Sequence, residues 1–207
     1  MTIGRFANAA ASDIVRAPPW LRSSSSFSAS IRSIVALPSL DSPAFAKRPL
    51  VISHTGARAL TDHVRNTDDA TIRAVADKGG VVGVYFMPFL TLDSHPKASD
   101  VIAHIEHVAN AAGEDHVGIG TDNGVLPQRL DAEARRKLDD WQRQRIAMGV
   151  AAPGEAIGVY PIVEELNRVD RYRWVAAELQ RRGWSGARVE KLMGGNFLRV
   201  YREAWGA

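Results

Sequence analysis

Cysteine is absent from all 207 residues, so the chain can form no disulfide, no thiolate nucleophile and no cysteine-ligated zinc site. Long apolar runs are absent as well. The longest, residues 81–90, is interrupted by Gly83 and Pro88 and is far shorter than the roughly 20 residues that span a bilayer. The net charge is only +3, from 26 basic and 23 acidic residues. We therefore predict no membrane span and no nucleic-acid partner.

The first 46 residues contain no lysine, glutamate or histidine, but they contain ten serines and four arginines. Ser23–Ser26 form an unbroken serine run, and no apolar periodicity extends beyond a few residues. This composition predicts that residues 1–47 are a Ser/Ala/Arg/Pro-rich, low-complexity segment that is poorly ordered. A transit peptide and an altered reading frame are alternative origins for it. The folded domain is expected to cover residues 48–207.

Regular patterns begin at residue 48, where short apolar runs alternate with helical patterns at intervals of roughly thirty residues. The runs are Leu50–Ser53, Val81–Phe86 and Val117–Gly120. We expect Asn66 or Thr67 to cap the first helix, and the second helix to begin near Ser99. Further helices are expected at residues 130–147, 161–169, 171–182, 186–193 and 197–204. Such strand–helix alternation is typical of a parallel sheet.

The number of strand–helix units sets the fold class. A closed (β/α)8 barrel typically needs about 250 residues, and only three βα units are visible here. The predicted fold is therefore α/β, an incomplete (β/α)8 TIM-type barrel made of about three C-terminal βα units with a helical C-terminal extension. Active sites of such barrels form at the carboxyl ends of the strands.

Three polar residues lie where such a site would form. His54 directly follows the first apolar run and is either a satisfied core histidine or a metal ligand or general base. Arg65 precedes the first helix and is either simply exposed or placed to bind a carboxylate with its planar fork. Asp122 follows the third run and either caps a turn or accepts a substrate amine or a proton. Glycines at positions 118 and 120 predict a close backbone approach beside it.

The other histidines show no spacing typical of a ligand set. His104 and His107 lie on the second predicted helix, away from its apolar stripe of Val101, Ile105 and Val108. We therefore expect both to face solvent or its border.

Five segments together resemble one known family. They are PLVISHTGARAL, HVRNTDD, IRAVADKGGVVGVYF, DHVGIGTDNG and GWSGARVEKLMGGNFLRVYREAW. In this order and spacing, residues from about 48 to 205 resemble the C-terminal part of the membrane (renal) dipeptidase family of zinc peptidases. The resemblance implies a barrel with a two-zinc site whose water attacks the peptide bond of a dipeptide.

The resemblance also implies roles for single residues. His54 matches a histidine ligand of one zinc ion. Arg65 matches the arginine that binds the substrate carboxylate. Asp122 matches an acidic residue near the substrate amine and the scissile bond, with substrate-binding and proton-transfer roles.

The chain departs from the family pattern before His54. The family also uses a His-x-Asp pair, a bridging glutamate and a further histidine, but no His-x-Asp occurs here and the first glutamate is Glu106. We therefore expect a truncated dipeptidase that does not hold two zinc ions and is inactive alone. The alternatives are a non-catalytic domain that binds small carboxylates or a partner, and a barrel half completed by a second chain. A homodimer is also compatible with the sequence.

Overall fold

Three parallel strands form the centre of the structure. The computed structural model describes residues 49–206, so the prediction for residues 1–47 lies outside the described residues. Strands β1 (Val51–Thr55), β2 (Val81–Val84) and β3 (Val117–Ile119) form one sheet in the order β1-β2-β3. They lie close to the three predicted apolar runs, and the predicted α/β class with a parallel sheet is confirmed.

The pairing of β1 with β2 is irregular around Ser53 and His54. The register shifts between Ile52 and Thr55, where three steps along β1 match two steps along β2. One extra residue in a strand is a bulge, which bends the strand and redirects its side chains. His54 therefore lies at a local bend of β1 rather than in its regular part.

Two glycines make room for this bulge. A Cβ atom at Gly83 of β2 would lie 2.2 Å from the carbonyl oxygen of Ser53. A Cβ atom at Gly120, just beyond β3, would lie 1.7 Å from the same oxygen. The outer strands therefore approach each other across β2, because both glycines lack side chains. The predicted close backbone approach is confirmed at Gly120, whereas the close neighbour of Gly118 is a side chain, the ring of Phe197.

Helices α1 (Asp69–Asp77) and α2 (Ala98–Ala112) pack against the sheet and supply much of the core. Their fully buried residues are Ile72, Val75, Val101, Ile102, Ile105 and Val108. Asp68 caps α1, because its carboxylate accepts a hydrogen bond from the N–H of Thr71 at 2.8 Å. The predicted cap at Asn66 or Thr67 is therefore wrong.

The chain after β3 is helical, as predicted. Its helices are α3 (Ala132–Ala147), α4 (Arg171–Arg181), α5 (Gly186–Glu190) and α6 (Asn196–Trp205), with a wide π-helical turn at Lys191–Gly195. Residues 161–169 form only a short 3₁₀ turn, Glu164–Leu166, instead of the predicted helix. Within residues 49–206, none of the helices combines the length and apolar character needed to cross a bilayer.

Candidate functional site

His54 and Asp122 lie close together at the carboxyl end of the sheet. The Nε2 atom of His54 is 4.0 Å from Oδ2 of Asp122, and the two side chains are 40% and 38% exposed. The other ring nitrogen of His54, Nδ1, is 2.8 Å from Oγ of Ser53. The fold thus brings together two of the three predicted site residues, and it leaves both accessible to a ligand.

Asp122 has an unusual backbone conformation, with φ of 58°. Few residues other than glycine adopt this left-handed region, although aspartate and asparagine tolerate it best. The turn is closed by its neighbours, since Oγ1 of Thr121 accepts the N–H of Asn123 at 3.2 Å and the Asn123 amide donates to Phe86 O at 3.3 Å. The Asp122 carboxylate is therefore not needed to cap this turn. Residues that the surrounding structure keeps in such a rare backbone conformation are frequent at functional sites.

Arg65 lies on the loop that leads from β1 to α1, and its side chain is exposed. Its guanidinium carbon is 5.4 Å from the centre of the Phe89 ring, a cation–π contact that restricts the side chain. Its carbonyl oxygen accepts a hydrogen bond from Oγ1 of Thr55 at 3.1 Å. The backbone and the side chain of Arg65 are therefore both held, while the donor groups of the guanidinium remain accessible.

His63 supports the same aromatic ring from its loop. Its ring stacks on Phe89 with centres 4.6 Å apart. Nδ1 of His63 accepts the N–H of Arg65 at 3.1 Å, so Nε2 carries the hydrogen that it donates to the carbonyl oxygen of Pro153 at 2.6 Å. His63 thereby connects the Arg65 loop to the segment that follows α3, a role that the sequence did not reveal.

Buried polar residues fix the rest of the loop. The Asn66 amide donates to Thr61 O at 2.8 Å and to Phe89 O at 3.0 Å, and its oxygen accepts the Tyr85 hydroxyl. Asn66 is 2% exposed and Tyr85 is fully buried. Because buried polar groups need partners, this network specifies one loop conformation. Asn66 therefore holds the loop through buried hydrogen bonds and does not cap the helix.

Tyr85 is also electrostatically linked to the predicted site. Burial raises the pKa of its hydroxyl above the ordinary range, the positive charge of Arg65 opposes this rise, and the negative charge of Asp122 adds to it. Tyr85 therefore stays protonated and donates to Asn66. Tyr85 is thus influenced by the charges of both Arg65 and Asp122.

His104 is buried, contrary to the prediction. It is 1% exposed, and its two ring nitrogens contact the N–H of Ala57 at 2.9 Å and the carbonyl oxygen of Leu90 at 3.0 Å. Position 104 follows Val101 by three residues and precedes Val108 by four, which is the spacing of one helix face. The spacing therefore predicts a buried His104, whereas the polarity of histidine predicts an exposed one. The structure follows the spacing. His107 lies at the border as predicted, with Nε2 2.7 Å from Oδ1 of Asp69.

The described residues do not fit a two-metal centre. Within residues 49–206, no three side chains of the His, Asp, Glu or Cys types converge on one point. His54 and Asp122 offer two donors at most, whereas zinc sites use three or four protein ligands. Ligation through Nε2 of His54 would also require that Nδ1 donate to Ser53.

The three-stranded parallel sheet, with polar residues at its strand ends, places the chain in the α/β class. Residues 36–137 and 147–206 match the family model of the membrane dipeptidases, peptidase family M19. The chain belongs to this family. The resemblance found in the sequence is therefore confirmed.

Curated relatives support the assignment. The chain is 31% identical to dipeptidase tcpJ of Claviceps purpurea over 157 residues, which cover 75% of this chain and 29% of the relative. It is also 31% identical to dipeptidase ataJ of Aspergillus terreus, with 79% of this chain and 32% of the relative covered. The chain thus spans about a third of the length of these dipeptidases.

Solved structures share the fold. An amidohydrolase from Pseudomonas aeruginosa superposes with a TM-score of 0.62 at 31% identity, covering 80% of this chain and 48% of that chain. A crystal structure of dipeptidase AC, a metallopeptidase of family M19, gives a TM-score of 0.57 at 23% identity and covers 80% and 40%. The second likeness shows the fold alone. This chain spans less than half of either structure.

Proposed function

We propose that this chain is the C-terminal part of a zinc dipeptidase barrel, with its substrate-binding side present and its metal-binding side incomplete. The observation that carries the proposal is the convergence of His54 and Asp122, 4.0 Å apart, beside the loop that holds Arg65. In this proposal the three strands are three βα units of an incomplete (β/α)8 barrel. β1 and β3 each pair with one strand among the described residues, so each leaves one edge for a further strand.

Each site residue has a distinct role in this proposal. The Arg65 guanidinium, held over Phe89, binds the C-terminal carboxylate of a dipeptide through paired N–H donors. The Asp122 carboxylate accepts the substrate ammonium group and takes part in proton transfer near the scissile bond. His54 is a ligand of one zinc ion in the complete barrel. The described residues do not provide the remaining ligands, so no hydrolytic step is assigned to this chain alone.

Hydrolysis and metal content test the proposal directly. The chain is incubated with zinc and glycylglycine, and bound zinc is counted by elemental analysis after equilibrium dialysis. We expect fewer than two zinc ions per chain and no turnover, because a lone imidazole beside one carboxylate cannot hold a metal pair. Two tightly bound zinc ions, or turnover at rates typical of enzymes, would refute the proposal that the metal-binding side of the site is incomplete. Turnover that appears only with a second chain supplying the missing units would identify that chain as the partner.

A second candidate function is metal-independent binding of small carboxylates. The arrangement of Arg65, which is fixed by Thr55 and Phe89, favours it because none of these contacts involves a metal ligand. Calorimetry with glycylglycine in the presence of a chelator distinguishes the two functions. Binding that survives chelation and is lost in Arg65→Met supports this candidate. Arg73→Met, which removes an exposed arginine from α1, is the charge-matched control.

A further inference from the structure

His104 joins helix α2 to two loops at once. Nδ1 lies 2.9 Å from the N–H of Ala57, at the start of the loop that carries Arg65, and Nε2 lies 3.0 Å from Leu90 O. A backbone N–H can only donate and a carbonyl can only accept. Nδ1 must therefore be the acceptor and Nε2 must carry the hydrogen, so both contacts require neutral His104.

The Ala57 contact lies at the base of the Arg65 loop. Ala57 forms a parallel bridge with Thr67, the N–H of Thr67 donates to Gly56 O at 2.9 Å, and the N–H of Arg58 donates to Thr67 O at 2.9 Å. These bonds close a loop that contains Arg65. Ala57 is fully buried, so its N–H has no access to water if Nδ1 is lost as an acceptor.

We propose that His104 is a positioning residue at the base of the Arg65 loop, and that protonation of His104 releases this anchor and weakens carboxylate binding at Arg65. The proposal rests on the proposed function for its carboxylate ligand. A protonated ring presents N–H at Nδ1 toward the N–H of Ala57, so two donors face each other. The loop then loses the anchor at its base.

Several charged groups surround His104. Asp100 and His107 act on it from its own helix, and Asp93 lines the same cavity of about 420 Å³ as His104 and Asp100. His107 is itself paired with Asp69 of α1. Burial lowers the pKa of His104, Asp100 opposes that shift and His107 adds to it. The loop is therefore anchored at neutral pH and released only in acid.

Two amide variants of the full chain separate the two nitrogens of His104. In His104→Asn the amide oxygen reaches the position of Nδ1 and retains an acceptor for Ala57. In His104→Gln the amide reaches the position of Nε2 and retains the contact with Leu90 instead. Neither amide titrates. The measurements are the hydrogen-exchange protection factor of the Ala57 amide by NMR, and the affinity for glycylglycine with chelator present, at pH 5 to 8.

We expect His104→Asn to keep the protection factor of the Ala57 amide and the affinity for glycylglycine. In His104→Gln, the protection factor and the affinity should each fall at least tenfold. In the wild type, protection should fall by up to about tenfold per pH unit below about 6.5, since the open loop binds a proton that the closed loop excludes. In the Asn variant the profile should be flat. Equal protection of Ala57 in the wild type and the Gln variant would overturn the proposal, as would equal affinity of the two.

Failure of the inference and failure of the proposed function give different results. Glycylglycine that binds none of the three proteins at any pH refutes the carboxylate function and with it the link from His104 to binding. Protection of Ala57 then still decides whether His104 anchors the loop. If glycylglycine binds His104→Asn and His104→Gln with equal affinity, only the positioning role of His104 is refuted.

Discussion

Substitution of Gly120 by alanine tests whether the glycine pair creates the site. The new Cβ would lie 1.7 Å from the carbonyl oxygen of Ser53 and 2.9 Å from its carbonyl carbon. A carbon and a carbonyl oxygen normally approach to about 3.3 Å, so one strand must move by about 1.6 Å. Both neighbouring atoms belong to the backbone, and no side-chain rotation relieves the clash.

The expected cost is at the upper end for an overpacked core, about 3 kcal/mol. This is a large share of the roughly 5–15 kcal/mol that stabilises a typical domain. The displaced segment is the bulge at Ser53 and His54, so the 4.0 Å approach of His54 to Asp122 should also be lost. Urea unfolding followed by tryptophan fluorescence measures the free energy of unfolding.

Gly186→Ala is the matched control. Gly186 begins α5 and has no atom within 4 Å of a Cβ built on it, so alanine should be neutral or stabilise the chain by up to about 1 kcal/mol. If the Gly120→Ala protein unfolds at the same urea concentration as the wild type, with an unchanged slope, then the backbone at Ser53 does not require a glycine at position 120.

Three further predictions concern Tyr85, Asp122 and His104. Tyr85→Phe leaves the buried oxygen of Asn66 without its donor and should cost about 1–3 kcal/mol in urea unfolding, whereas Tyr201→Phe, on the exposed side of α6, should cost almost nothing. Asp122→Asn should preserve stability because asparagine tolerates positive φ, while Asp122→Val should cost about 1–3 kcal/mol in the same assay. Burial lowers the pKa of His104 in the folded state, so its contribution to stability is present above pH 6.5 and is lost as the pH falls. Thermal unfolding at pH 7, 6 and 5 should show this loss in the wild type and a weaker dependence in His104→Asn.

Periodicity made the strands and most helices predictable. β-branched residues bounded by turn signals located the three strands found within residues 49–206, and Gly113 marked the end of α2 correctly. The helix predicted at residues 161–169 is absent, because apolar spacing alone does not specify helix over a 3₁₀ turn in a short segment. The roles of Asn66 and His104 were also missed, since both depend on partners far away in the chain.

The candidate site was predictable only in part. The sequence indicated His54 and Asp122 because polar residues at the ends of apolar strands reach the carboxyl edge of a parallel sheet. It indicated Arg65 on the loop between the first strand and the first helix. The sequence could not indicate the distance between His54 and Asp122, or the contact between Arg65 and Phe89. These are contacts between separate elements, and their geometry depends on how the strands curve.

The order of strands and helices, the family and the identity of the polar residues at the strand ends follow from the sequence alone, because they depend on local spacing and on recurring segments. Tertiary structure alone decided which of those residues meet. The bulge in β1 fits against Gly83 and Gly120, and a buried network then holds the loop that carries Arg65. Backbone atoms distant in sequence make these contacts, and no local pattern records how far apart they lie.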